Sequence, residues 1–164
     1  MFLCHQVTSV IEPRGPALTQ PALPTWDIAK AIKYLVSHAS DKSKGLCALY
    51  VRLAVEAGGV KLERHISAKD YGSSLVKVGF KAIGQIASGF AAGDVAIIQA
   101  IEGHPHGHMT MFAGSIWISD FKQQHGLYPG PLYRKLRPRY TVYRFPGLTV
   151  LDSRSQFVPV GILC

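Results

Sequence analysis

The stretch SKGLCALYVRLAVEAGG, residues 43–59, contains the clearest periodic pattern of the chain and decides the fold prediction. Its apolar side chains recur at spacings of three and four residues, which places them on one face of a helix. The residues of this face are Leu46, Leu49, Tyr50, Leu53, Ala54 and Ala57. The pattern predicts a central core helix that begins near Ser43 or Lys44 and ends at Gly58 and Gly59, with Cys47 in its first turn.

The segments around this helix predict an α+β fold. Capping residues and apolar spacing indicate an earlier helix from Thr25 to about Ala39 and a shorter one from Ser67. After Gly93 the pattern changes to short β-rich runs separated by glycine and proline, as in an antiparallel sheet. These runs cover residues 95–101, 108–112, 116–119, 140–144 and 148–151. Helices first and strands afterwards predict N-terminal helices packed on a C-terminal antiparallel β-sheet.

The length and the distribution of proline indicate one domain with an N-terminal arm. A chain of 164 residues is long enough to bury a core of its own. Four prolines within residues 1–24 exclude a regular helix or a central strand there. We therefore expect residues 1–24 to form a proline-rich arm and residues 25–164 to form a single domain.

Composition and charge limit the partners and the location of the protein. The chain is 48% hydrophobic but has no long uncharged apolar run, so we expect no stable insertion into a membrane. The N-terminal residues MFLCHQ lack a basic region, so they do not predict a secretory signal, and we expect synthesis in the cytoplasm. A net charge of +8 favours anionic polymers such as nucleic acid, anionic lipid or the bacterial wall.

The cysteine count argues against a disulfide framework. Three cysteines are an odd number, which leaves at least one thiol free. We take Cys47 to be the free one. Cys4 and Cys164 lie near opposite ends of the chain, and the sequence leaves open whether they pair.

Cys47 and His108 suggest a nucleophile and its base. A thiol attacks a carbonyl carbon as the thiolate, and the first turn of a helix favours the anion through unpaired backbone N–H groups and the helix dipole. His108 begins a predicted strand and can take the thiol proton if that strand faces the start of the helix. Alternatively, Cys47 is a small buried helix residue, and His108 is a core or surface residue of the sheet.

Asp120 is the candidate for the third member of a triad. It follows His108 by twelve residues, and the turn at residues 113–115 would bring it back beside the histidine. Its carboxylate could then accept a hydrogen bond from the second imidazole nitrogen and stabilise the imidazolium. Alternatively, Asp120 closes a strand or caps the next turn.

His104 and His106 precede His108 in a run that invites a metal interpretation, because imidazole is a common ligand of transition metals. The sequence offers no second ligand cluster at a suitable spacing, and Pro105 opposes convergence of the three rings. We expect neither a metal nor another cofactor. His104 and His106 are expected in a loop at the mouth of the site.

Three segments together resemble the NlpC/P60 and CHAP group of papain-like cysteine peptidases and amidases. SKGLCALYV at residues 43–51 looks like the nucleophile helix, AGDVAI at 92–97 like the strand that follows Gly-Asp, and GHMTMF at 107–112 like the histidine strand. The later segments are similar to phage-type CHAP lysins and to the amidase effectors of type VI secretion. They are WISDFKQ at 117–123, YPGP at 128–131 and YTVYR at 140–144.

This resemblance implies a papain-like fold and hydrolysis of an amide bond in the peptide stem of peptidoglycan. It implies Cys47 as nucleophile, His108 as proton carrier and Asp120 as the residue that orients His108. It also implies action in the periplasm or wall of a target bacterium. As an effector, the protein would have a cognate immunity protein; as a lysin, it would not.

Two alternatives remain open on the sequence alone. The same triad would serve a thiol deamidase or a transglutaminase-like toxin that acts on protein glutamine. A non-enzymatic nucleic-acid-binding module could instead use the basic run at residues 134–139. Such a module predicts binding that weakens steeply with salt and does not depend on Cys47.

Overall fold

The computed structural model describes residues 25–147, and its elements begin with helices. Helix α1 covers Ile28–His38, α2 covers Cys47–Ala57 and α3 covers Gly72–Lys77, with a 3₁₀ turn at Ala68–Asp70 before α3. The strands are β1 (Lys81–Gly84), β2 (Val95–Ile98), β3 (His108–Phe112), β4 (Trp117–Ile118), β5 (Lys122–Gln123) and β6 (Tyr140–Arg144). A short helix, α4, at Pro131–Leu136 lies between β5 and β6.

The described strands form one antiparallel sheet in the order β1-β6-β2-β3-β4-β5. Ile97 of β2 lies opposite Met109 of β3 on one side and Thr141 of β6 on the other. Strand β6, the last of the described strands, therefore occupies the interior of the sheet. The predicted α+β fold, with helices ahead of an antiparallel sheet, is confirmed.

The main core lies between α1, α2 and one face of the sheet. Val51, Ala54 and Val55 of α2 are fully buried, and they pack in the same cluster as Met109 and Met111 of β3. Side chains alternate along a strand, so the next residue of each strand faces the opposite side. There a smaller cluster forms around Ala96, Trp117 and Val142. Helix α2 thus reaches the sheet close to the beginning of β3.

The predicted starts of the first two helices were wrong by a few residues. Helix α1 is capped by Asp27, whose side chain accepts from the Lys30 N–H at 2.9 Å, and not by Thr25. Helix α2 begins only at Cys47, because Gly45 has a φ of +72°, which no right-handed helix contains. The predicted apolar face also differs at its start, since Leu46 and Leu49 are 45% and 36% exposed.

Three short elements were not predicted: β1, β5 and α4. The first three residues of the basic run at 134–139 belong to α4. The predicted arm at residues 1–24, the predicted run at 148–151, Cys4 and Cys164 lie outside the described residues. No helix in the described range has the length and apolar character needed to cross a membrane.

Candidate active site

Cys47 lies at the first position of α2, in a half-buried environment, with its thiol free. The loop before it, residues 43–46, carries the nucleophile candidate into the helix. Gly45 supplies the positive φ that turns the chain at this point, a conformation that costs glycine little. The position of Cys47 therefore depends on how firmly this loop is held.

Asp120 holds that loop. Its buried carboxylate accepts hydrogen bonds from the backbone N–H groups of Lys44 and Leu46 and from the hydroxyls of Ser43 and Ser119. Burial by itself would raise the pKa of Asp120, but the hydrogen bonds outweigh burial and hold the pKa below its usual value. Asp120 is therefore a carboxylate at neutral pH, and it is satisfied by dipoles.

The expected hydrogen bond between Asp120 and His108 is not formed in the described part of the chain. The Nε2 atom of His108 lies 2.9 Å from Oε1 of Gln123. The physical reason is that Asp120 turns toward the loop before Cys47, whereas Gln123, three residues later on β5, is directed at the imidazole. The structure thus assigns to an amide the position that the sequence predicted for a carboxylate.

The hydrogen bonds of Gln123 fix the protonation of His108. The Gln123 amide nitrogen donates to the carbonyls of Gly126 and Leu127 at 3.0 and 2.8 Å, so its amide oxygen must face the histidine. Because this oxygen only accepts, Nε2 of the neutral ring carries the hydrogen. The lone pair of Nδ1 is then available to accept a proton.

The pKa values of the two reactive groups indicate a neutral resting pair. Burial lowers the pKa of His108 to about 4, although Gln123 and the charge of Asp120 oppose this. Burial likewise raises the pKa of the Cys47 thiol, and the backbone N–H groups of Met109, Ala48 and Cys47 itself only partly offset it. The expectation that the helix start favours the thiolate is therefore outweighed by burial.

Cys47 and His108 line the same cavity, which has a volume of about 480 Å³. Among the described residues, no arginine, lysine, aspartate or glutamate lines this cavity. The lining residues include Ser43, Cys47, His104, His106, His108 and Tyr133. His104 and His106 are exposed and lie at the mouth of this cavity, as the sequence predicted.

Tyr133 is a residue of the cavity that the sequence did not single out. It lies on α4, with its ring centroid 6.2 Å from that of His108. Its hydroxyl is buried and has no hydrogen-bond partner among the described residues. Burial, together with the charge that Cys47 carries as a thiolate, raises the pKa of Tyr133 to about 12. The phenol therefore stays protonated beside the thiol.

A second pocket of about 300 Å³ is also lined by Cys47, and we call it the basic pocket. It shares Gly45, Cys47 and His106 with the larger cavity, so the two pockets adjoin at the residues around the thiol. The side chains that distinguish it include Arg52, Arg64, His65, Ile66 and Tyr71. Neither arginine was predicted as a site residue, because nothing in its sequence spacing sets it apart.

These features define a papain-like protein: a cysteine at the start of a core helix and a histidine at the start of an antiparallel strand line one cavity. No protein-family model and no curated protein matches the sequence. The type VI effector-immunity complex Tae3-Tai3 from Ralstonia pickettii contains a chain that is 50% identical, over 74% of this chain and 100% of that one, with a TM-score of 0.69. A selenomethionine form of the complex matches at 53% identity, over 70% and 98% of the two chains, with a TM-score of 0.65.

The chain therefore belongs to the Tae3 family of type VI effectors. This identity extends over the whole length of the matched effector.

Proposed function

We propose that this protein is a cysteine amidase that cuts an amide bond in the peptide stem of peptidoglycan, as an antibacterial effector of type VI secretion. One observation carries the proposal. In a chain of the Tae3 family, Cys47 and His108 line one cavity, and Gln123 commits Nε2 of His108 to a hydrogen bond that leaves Nδ1 free as a base.

The reaction begins from the neutral thiol and the neutral imidazole. As the Cys47 sulfur attacks the substrate carbonyl carbon, Nδ1 of His108 takes the thiol proton, so that no free thiolate has to accumulate in the buried site. A tetrahedral intermediate forms, and its collapse breaks the C–N bond. The imidazolium gives its proton to the leaving amine, and an acyl group remains on Cys47.

The second half of the reaction reverses these roles. His108, now neutral, takes a proton from water, the resulting hydroxide attacks the thioester, and the proton returns to the departing Cys47 sulfur. The products are a carboxylic acid, an amine and the regenerated thiol. This chemistry requires no cofactor.

Asp120 supports the reaction as a positioning residue. Three of its four hydrogen bonds hold the segment that precedes Cys47. Its charge also raises the pKa of His108, which stabilises the imidazolium formed during attack without a direct hydrogen bond. The proposed catalytic set is therefore Cys47 and His108, with Asp120 and Gln123 placing them.

The proposed setting follows from the family. The matched structures are complexes of an effector with its immunity protein, so we propose a cognate immunity protein as the partner of this chain. Peptidoglycan is the proposed substrate, and the periplasm or wall of a target bacterium is the proposed place of action. We further propose that the chain is related to the NlpC/P60 and CHAP enzymes.

Digestion of purified peptidoglycan sacculi tests the function. We expect wild type to release new muropeptides, identified by mass spectrometry, and Cys47→Ala and His108→Gln to release none. His38→Gln is the matched histidine control, because His38 is exposed on α1 and lines neither pocket. If folded wild type releases no fragments, the wall-amidase proposal is wrong.

A further inference from the structure

The two pockets that Cys47 lines differ in charge. Among the described residues, the larger cavity contains no arginine, lysine or carboxylate. The basic pocket contains Arg52 and Arg64 together with His65 and His106, and no carboxylate lines it. A substrate that occupies both pockets therefore meets an uncharged surface in one and a cationic surface in the other.

The position of His108 tells which end of the substrate lies on which side. His108 lines the larger cavity and not the basic pocket. Because the imidazolium must reach the leaving nitrogen, the amine product lies in the larger cavity. The acyl portion of the substrate, which stays on Cys47, then extends into the basic pocket.

The two arginines differ in how free they are. The Nη1 atom of Arg52 is 2.8 Å from Oε1 of Glu56, one turn later on α2, and its side chain is only 11% exposed. This ion pair fixes the guanidinium at the wall of the pocket. Arg64 is exposed and forms no ion pair with any described residue, so its planar group is available for a ligand.

The rim of the basic pocket is apolar. Ile66 is 95% exposed, and Leu46, just before α2, and Leu49, in its first turn, are also exposed. All three line the pocket. A ligand that combines a carboxylate with aliphatic carbon matches this surface, because guanidinium groups bind carboxylates and the rim gains from contact with carbon.

From these contacts we infer that the basic pocket is a specificity site for a free carboxylate on the acyl side of the bond that is cut, with Arg64 as its main ligand. The inference rests on the proposed function and adds the charge of the substrate to it. A peptide whose acyl-side carboxyl groups are amidated should be a poor substrate. The contact between an arginine and a carboxylate gives specificity of roughly tenfold or more.

The test compares two synthetic stem peptides that differ only in whether the acyl-side carboxyl groups are free acids or amides. We expect wild type to cleave the free acid with at least about tenfold higher kcat/KM. Arg64→Gln should lose that preference because its kcat/KM falls on the free acid and stays the same on the amide. Arg64→Lys should recover part of the preference. Arg139→Gln, with the same change in charge at an exposed position outside both pockets, should behave as wild type.

Binding separates this inference from the proposed function. Calorimetry with Cys47→Ala should show binding of the free-acid peptide that weakens about tenfold in Cys47→Ala/Arg64→Gln. This measurement does not require cleavage, so a protein that binds but never cuts would overturn the amidase proposal alone. Equal binding of acid and amide, equal loss on both in Arg64→Gln, or no binding at all would overturn the carboxylate site.

Discussion

Two loops flank the candidate site, and each is held by one side chain from the segment that follows β4. The loop at residues 43–46, before Cys47, donates backbone N–H groups to the carboxylate of Asp120. The carbonyls of Gly126 and Leu127, after β5, accept from the amide of Gln123. The loop before the proposed nucleophile is thus held by a charged acceptor, whereas the loop beside the proposed base is held by a neutral amide.

The difference follows from what each side needs. Backbone N–H groups require only an acceptor, and a carboxylate serves as a strong one. The base needs a partner that accepts from Nε2 of His108 while it also donates to carbonyls, and among these two side chains only the amide of Gln123 does both. The carboxylate of Asp120 holds the loop at residues 43–46. The amide of Gln123, which both accepts and donates, sets the tautomer of His108.

Removing the carboxylate of Asp120 should have the largest effect on stability. Asp120→Ala leaves the donors of Lys44, Leu46 and Ser43 without their acceptor, and we expect a loss of about 4 kcal/mol in unfolding free energy. Activity per folded molecule should fall about 100-fold, because the loop before Cys47 loses its position. Urea unfolding and muropeptide release measure the two effects. Asp70→Ala, at an exposed aspartate, is the control, and equal behaviour of the two variants would contradict the role of Asp120.

His108 and Asp120 should affect stability in different ranges of acidic pH. The pKa of folded His108 is about 4, against about 6.5 in an unfolded chain, so the unfolded state binds more protons between these values. Stability should therefore decrease by about 3 kcal/mol as pH falls from about 6.5 to 4. The pKa of Asp120 is lowered, so its contribution persists there and is lost only below about pH 3.9.

Unfolding curves of wild type and His108→Gln across this range measure the effect. His108→Gln should lack the decrease between pH 6.5 and 4 and keep the one at lower pH. An unchanged pH dependence in the variant would show that His108 is not buried as a neutral ring.

Gln123→Leu tests the neutral side and should cost less stability. We expect a loss of about 2 kcal/mol in unfolding free energy, because water can replace some of the lost hydrogen bonds. The value of kcat/KM should fall about 100-fold. The reason is that Nε2 of His108 loses the partner that fixes its hydrogen. Nitrogen chemical shifts of the ring should show a mixture of tautomers. Gln124→Leu, at the exposed neighbour, should change neither quantity, and a single retained tautomer in Gln123→Leu would be the contrary result.

Tyr133→Phe should have the smallest effect on stability. The Tyr133 hydroxyl is buried without a partner among the described residues, so its removal should leave the unfolding free energy unchanged or raise it by up to about 1 kcal/mol. Tyr140→Phe is the matched control, because the Tyr140 hydroxyl donates to the Ile86 carbonyl and its loss should cost about 1 kcal/mol. Thermal unfolding of both variants decides it, and a clear loss in Tyr133→Phe would mean that its hydroxyl has a partner in solution.

The parts of the fold that the sequence predicted are those with strong local patterns. Helix α2 and strands β2, β3 and β6 carry continuous apolar or alternating runs. The start of α2 was misplaced because Gly45 has a positive φ, in a loop that Asp120, 74 to 76 residues away, holds by hydrogen bonds. Strand β5 has two residues and α4 has six, which is too short for a periodic signal.

The sequence placed Cys47 and His108, the proposed reactive pair, in one site, but it did not predict how these two residues are supported. Cys47 and His108 are recognisable by residue type and position, and the structure lines one cavity with both. Gln123 and Asp120 both lie within fifteen residues of His108, and only side-chain directions in three dimensions decide which one bonds to it. Tyr133 and Arg64 depend in the same way on how separate elements meet.

The place of β6 inside the sheet has a consequence for how the chain is made. Residues 140–144 pair with β1 on one side and β2 on the other, and Arg144 supplies the cation for the buried Asp94 carboxylate. A nascent chain that stops before residue 140 has two unpaired strand edges and an uncompensated buried charge. Pairing between segments this far apart in the sequence makes folding slow, so we expect the sheet to be completed only after synthesis has passed residue 144.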